Sequence, residues 1–265
     1  MDVTRARPAR RTVVRILRLE RALAATLDVC FPPRCLACEG DAWDGALPGL
    51  CGRCAGALPV ILGGCPRCGR EAGASGAISA DRAMVGVGVV EVGCVVCRRE
   101  ATDLDGVVAP TRYRDLARDL VLSLKFHRRT PAAVPLGLLL ADALRGARCP
   151  GDLVVPVPLS RARFRERGHN QADDLARVVA SALDLDRCPK ALVKARDTRP
   201  QSGLARGLRR RNPRGAFRAR RSRVEGRCVL LIDDVVTTGA TASACARALK
   251  RAGAARVVLA AACRA

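Results

Sequence analysis

Aromatic residues are nearly absent from this chain: one Trp, one Tyr and four Phe make up 2% of its 265 residues. A core without rings must be built from Val, Leu, Ile and Ala, and the 49% hydrophobic content is ample for it. The same scarcity argues against recognition of single strands by base stacking, which normally uses aromatic side chains. No run of about 18 apolar residues is present to span a membrane. The apolar positions near the start are interrupted by Arg18, Glu20 and Arg21, so no signal-peptide core is expected and a cytoplasmic location is. Gly-Lys-Ser/Thr and Gly-x-Gly-x-x-Gly are both missing, which excludes a nucleoside-triphosphate loop and a dinucleotide fold.

Acids are outnumbered as well, with 25 Asp and Glu against 47 Lys and Arg, for a net charge of +22. The excess is clustered: residues 190–227 hold fourteen Lys or Arg against two acids, and residues 1–21 hold seven against two. Clustered arginine suits phosphate-bearing partners, either a diphosphate substrate or a nucleic-acid backbone. For any single arginine, a solvated surface position is the simpler explanation.

Cysteine, by contrast, is plentiful, at fourteen. Eight of these form four Cys-x-x-Cys pairs: Cys35 and Cys38, Cys51 and Cys54, Cys65 and Cys68, Cys94 and Cys97. In a reducing compartment such pairs are zinc knuckles rather than disulfides, each aiming two thiolates at one tetrahedral Zn2+. Sequential and interleaved pairings are both open, as are two four-cysteine sites or one site with four spare thiols. Cys30, Cys149, Cys188, Cys228, Cys245 and Cys263 lack the spacing and suit small core positions.

Periodicity predicts an amphipathic helix over residues 12–28 and, after the cysteine region, helices over 113–126, 131–144, 170–183 and 240–252. Strands are expected at 153–158, 192–193, 227–232 and 256–262. Alternating strands and helices imply an α/β domain with a mostly parallel sheet. The arginine-rich stretch from Arg196 to Phe217 has few apolar residues and is expected to be a mobile loop. The chain thus divides into a basic extension (1–29), a zinc-finger module of the double-ribbon kind (30–105) and the α/β domain (106–265).

One stretch organises that domain. Val229-Leu230-Leu231-Ile232 ends in Asp233-Asp234, followed by Val235-Val236-Thr237-Thr238-Gly239-Ala240-Thr241 and an alanine-rich helix. A buried parallel strand needs no polar alternation, and open α/β sheets bind ligands at its carboxyl end. Two acids there can accept from vicinal sugar hydroxyls, and the hydroxyl-rich turn at a helix N-terminus can hold a phosphate. The pattern resembles the 5-phosphoribosyl 1-diphosphate (PRPP) signature of the type I phosphoribosyltransferases. The cysteine pairs, Tyr113, Leu124-Lys125-Phe126, Val155-Pro156-Val157-Pro158-Leu159, Arg167-Gly168-x-Asn170-Gln171, Arg196-x-Thr198-x2-Gln201 and Arg211-Asn212-x3-Ala216-Phe217 precede it in one order. That order is similar to the ComF family, the competence-associated phosphoribosyltransferase-like proteins.

The resemblance implies a type I phosphoribosyltransferase fold behind a zinc module, and Mg2+-dependent displacement of diphosphate from PRPP by an unidentified acceptor. On its terms Asp233 and Asp234 serve the ribose hydroxyls, and Thr237, Thr238, Gly239, Ala240 and Thr241 the 5-phosphate. Arg161 is a candidate for the diphosphate, with Arg196 and Arg211 from a closing loop. It also implies handling of single-stranded DNA in natural transformation and a competence helicase-type partner. The alternative is a catalytically silent PRPP site on a zinc-dependent DNA-binding protein. His169 departs from the family's usual Phe, either bringing a titratable ring near the diphosphate or filling the same volume. Thr237 stands where 6-oxopurine enzymes carry an Asp proton acceptor, which disfavours a hypoxanthine or guanine acceptor.

Overall fold

A computed structural model describes residues 33–45, 47–71, 94, 97, 102–126, 130–149, 151–195 and 215–265. The expected helix at 12–28, Cys30 and the expected loop with Arg196 and Arg211 lie outside the described residues.

A short helix α1 (Gly52–Gly56) lies within the cysteine region, and the sheet begins with β1 (Gly106–Val108) and β2 (Thr111–Arg112). Then come α2 (Asp115–Phe126), a 3-10 turn (Thr130–Ala132), α3 (Ala133–Gly146), β3 (Leu153–Pro156), α4 (Arg161–Arg167), α5 (Gln171–Leu183) and β4 (Asp186–Arg187). The chain closes with β5 (Leu192–Lys194), β6 (Phe217–Ala219), α6 (Arg221–Val224), β7 (Cys228–Val236), α7 (Ala240–Arg251) and β8 (Arg256–Arg264). Among the described residues the main sheet has the order β1-β8-β7-β3-β4, with β2 also on β8, and every pairing in it is parallel. This is the mostly parallel α/β architecture that the sequence predicts.

Strand pleating sorts the apolar residues into two cores. Val154, Leu230, Ile232, Val258 and Ala260 face one side, where Leu120, Leu124, Leu136, Leu140, Leu175 and Val179 of α2, α3 and α5 cover them. Leu153, Val155, Val229, Leu231, Val257 and Leu259 face the other, against Ala242, Cys245, Ala246 and Leu249 of α7. The interior is aliphatic, as a ring-poor chain requires. Small residues set its closeness: a Cβ on Gly137 would lie 2.7 Å from Val178, so α3 and α5 approach through that glycine.

One local expectation is revised, and two stretches gain detail. The central strand does not stop at Ile232; β7 runs through both acids to Val236, because β8 goes on pairing with it as far as Val236 opposite Arg264. Backbone pairing thus carries polar side chains within a strand. The basic stretch 161–167 forms α4, held by the Ser160 hydroxyl, which accepts from Arg163 N, and ended by Gly168 at φ +77°. Finally, β5 is half of an antiparallel pair with β6, the two strands flanking residues 196–214.

The cysteine region packs directly on this domain. Cys35, Leu50, Cys51 and Leu58 belong to the core beneath α2 and α3. Further along, Val107 N donates to Pro66 O at 2.8 Å, and Arg112 pairs with Glu71.

Candidate functional site

The eight paired cysteines form two quartets, Cys35, Cys38, Cys51 and Cys54, then Cys65, Cys68, Cys94 and Cys97. The pairing is therefore sequential, the order that spacing left open. Tetrahedral Zn2+ with arms of about 2.3 Å places its sulfurs about 3.8 Å apart. Here Cys38 and Cys51 stand 3.7 Å apart, Cys68 and Cys94 3.7 Å, Cys94 and Cys97 3.7 Å, and Cys65 and Cys97 4.0 Å. Sulfur spacing and donor type both fit zinc. In the second quartet the Cys68 hydrogen bond holds Cys65 below the usual thiol range. Of the other cysteines, Cys245 and Cys263 are buried, whereas Cys149, Cys188 and Cys228 are only partly covered.

At the carboxyl edge of the sheet a cleft of about 640 Å³ is lined by Asp233, Asp234, Val235, Thr237 and Thr241 on one side. Its other walls include Lys125, Ser160, Arg163, Arg167, Asn170 and Lys194. Asp234 Oδ1 accepts from Val235 N at 2.7 Å, and its Oδ2 is paired with Lys125 Nζ at 2.9 Å. Asp233 Oδ1 accepts from Asp234 N at 2.9 Å. Burial and the Asp234 charge raise Asp233 to about 8. Lys125, in the last turn of α2, also lies 5.9 Å from the Tyr113 ring centroid. Sequence reasoning quoted Lys125 within a motif without giving it a role; a lone cation between apolar residues at a helix end was the available signal.

Beyond the acids, residues 235–242 and Asp233 enclose a small bowl of about 50 Å³. Gly239 turns it at φ +74° and has no side chain to cap α7, and the Thr238 hydroxyl accepts from Ala240 N at 3.4 Å. Thr237, Thr238, Gly239, Ala240 and Thr241 all line this bowl. An uncapped helix start with hydroxyls around it is suited to an anion. The opposite wall is the turn after β3. Asn170 braces it, with Nδ2 donating to Val157 O at 3.1 Å while Oδ1 caps α5 through Ala172 N.

Arg161 lies on the other side of α4 from the cleft. It lines a second trough of about 1160 Å³, with Phe164, Arg165, Lys190 and Val193. His169 lines neither cavity; its Nδ1 faces Arg167 O at 3.0 Å and its Nε2 faces Leu124 O at 2.9 Å. It joins α2 to the α4–α5 turn from behind.

Residues 167–265 match the phosphoribosyl transferase domain and residues 26–83 the double zinc ribbon domain. The DNA utilization protein YhgH of Salmonella typhi is 34% identical over 221 residues, covering 82% of this chain and 90% of that protein. Its counterpart in Escherichia coli K12 is 33% identical over the same shares. Competence protein F of Haemophilus influenzae is 31% identical over 167 residues, 60% of this chain and 73% of that protein. The chain belongs to the ComF family. Within this ComF protein the double zinc ribbon match contains the first quartet and Cys65 and Cys68 of the second, with Cys94 and Cys97 beyond it, and the phosphoribosyl transferase match contains the acids and the glycine turn. Among the described residues no helix is long and apolar enough to cross a membrane.

Proposed function

We propose that the cleft binds PRPP with Mg2+ and displaces its diphosphate by an acceptor not yet identified. The observation that carries this is the juxtaposition of Asp233 and Asp234, paired with Lys125, beside the Thr237–Thr241 bowl in one 640 Å³ cleft. The bowl takes the 5-phosphate and the acids the ribose hydroxyls. Arg163, Arg167 and Lys125 line the cleft where a diphosphate needs cations. Mg2+ fits because two carboxylates and the ligand's own oxygens supply hard donors, and it would offset the charge of the leaving diphosphate. The protein's share is positioning and electrostatics. Arg196 and Arg211 remain candidates for closure over the diphosphate.

Calorimetry with PRPP and Mg2+ tests this reading. Asp233→Asn/Asp234→Asn removes acceptors, and each hydrogen bond to a charged group contributes about 1.5–3 kcal/mol, or about 10- to 150-fold in affinity. Arg251→Ala, at the far end of α7, should bind as the wild type does. Absence of binding heat at millimolar PRPP, or equal affinity of the double variant, would refute the assignment.

A second reading, DNA handling, is favoured by a specific observation. Arg161, Phe164 and Arg165 share one face of α4 at i, i+3 and i+4. They border the trough with Phe164 51% exposed. An exposed ring between arginines can stack a base and hold its flanking phosphates, a role that composition alone disfavoured. Phe164→Ala should weaken single-stranded oligonucleotide binding by about 1–3 kcal/mol, and Arg161→Ala should flatten its salt dependence. Unchanged affinity in both variants would remove the trough from consideration. On this reading the cytoplasm is the working compartment and a competence helicase-type protein the partner that delivers the strand.

A further inference from the structure

Arg264 is 8% exposed, and its Nη1 donates to Ala265 O. Its Nε donates to Cys68 O at 3.1 Å, in the second quartet, and its Nη1 to Val236 O at 2.9 Å. Val236 is the residue before Thr237, where the phosphate bowl begins. One planar side chain therefore bridges a metal knuckle and the root of the anion loop. The Arg264 carbonyl extends the link by accepting from Tyr113 N at 2.8 Å, and Lys125, partner of Asp234, lies over that ring.

A buried guanidinium needs opposite charge or it is strongly disfavoured. Zinc bound by four thiolates keeps excess negative charge, so the loaded quartet adds negative charge beside this arginine. Packing is close as well: a Cβ on Gly69, directly after Cys68, would lie 3.8 Å from Arg264 Cδ. No comparable bridge runs from the first quartet to the loop among the described residues, since that quartet packs under α2 and α3.

We infer that Arg264 is a positioning residue through which metal in the second quartet holds the phosphate loop in its binding geometry, so that loss of that metal weakens the anion site. In part this rests on the PRPP reading of the cleft. Coupling of two sites is reciprocal: if zinc in the second quartet tightens PRPP by some factor, PRPP must tighten that zinc by the same factor.

The experiment uses the full chain and two readouts. Release of zinc to a colorimetric chelator is followed with and without PRPP and Mg2+, in Cys38→Ser to isolate the second quartet and in Cys94→Ser to isolate the first. Amide hydrogen exchange of residues 236–241 is followed as zinc is withdrawn from the wild type, which requires no variant to fold. Expected are zinc binding to the second quartet tightened about 5-fold or more by PRPP, none at the first, and faster loop exchange when the second quartet is emptied. Arg264→Lys keeps the charge without the fork, so zinc retention should approach wild type while loop exchange rises; Arg264→Met should lose both. Loop exchange indifferent to zinc in the second quartet, or coupling intact in Arg264→Met, overturns the inference. PRPP giving no binding heat refutes the proposed function instead, and the exchange measurement then decides the coupling by itself.

Discussion

At the scale of single residues, the Asp233 carboxyl is raised to about 8 by burial and by Asp234, while Lys125 pulls it back. Its folded value lies above its unfolded one, so between about pH 4 and 8 the native state holds a proton that the unfolded chain does not. Stability from this group therefore falls as pH rises through that window. Asp233→Asn should reduce the fall in melting temperature between pH 5 and pH 8, read by calorimetric scans at constant ionic strength. Lys125→Met removes the opposing cation and should shift the Asp233 titration upward, measured by carboxyl carbon NMR. If PRPP with Mg2+ binds the ionised acid, binding below pH 8 releases a proton, and the heat should vary with the ionisation enthalpy of the buffer.

Two secondary elements meet closely at Gly137. α3 and α5 cross where an added Cβ would come 2.7 Å from both Cβ and Cγ1 of Val178. A methyl there forces the helices apart, and overpacking of this kind costs about 1–3 kcal/mol. Gly137→Ala should lower the urea midpoint accordingly, and Gly137→Ala/Val178→Ala should recover only part of the loss, because the Cβ at position 178 stays in place. At α4, Ser160→Ala removes the hydroxyl that accepts from Arg163 N, a cap worth about 0.5–2 kcal/mol to its helix. Because α4 separates the cleft from the trough, that variant should weaken ligands in both without changing the metal content.

At the scale of the whole molecule, the described part of the cysteine region is fastened to the main sheet and its helices at several points. Cys35 and Cys51 are part of the main core, while the second quartet reaches the sheet through Pro66, Glu71 and Arg264. Elemental analysis should find two zinc per chain, falling to one in Cys38→Ser and staying at two in Cys245→Ser, whose thiol is buried on α7. Stripping both metals should also destabilise the α/β domain, because the metal-bound turns supply part of its packing. Retention of a wild-type melting profile after complete removal would contradict that dependence.

Local chemistry explains what could be read along the chain. Cys-x-x-Cys spacing is itself a two-ligand turn, so the eight ligands were legible without their pairing. Val229 to Ile232, the two acids and the glycine turn are contiguous, and contiguous residues keep their relation in any fold that makes them a strand and a loop. Lys125 of α2 reaches the same cleft as Arg163 and Arg167 of α4, and no local pattern encodes that meeting. The true end of β7 was hidden because its partner β8 lies twenty residues on and pairs beyond Ile232 whatever the side-chain polarity. Likewise the sequence determined that Arg264 lies at the end of an apolar run, whereas tertiary structure alone made it the last residue of β8 and set its guanidinium between Cys68 and Val236. Backbone hydrogen bonding and burial act between segments far apart in the chain, and their outcome exists only once the segments have packed.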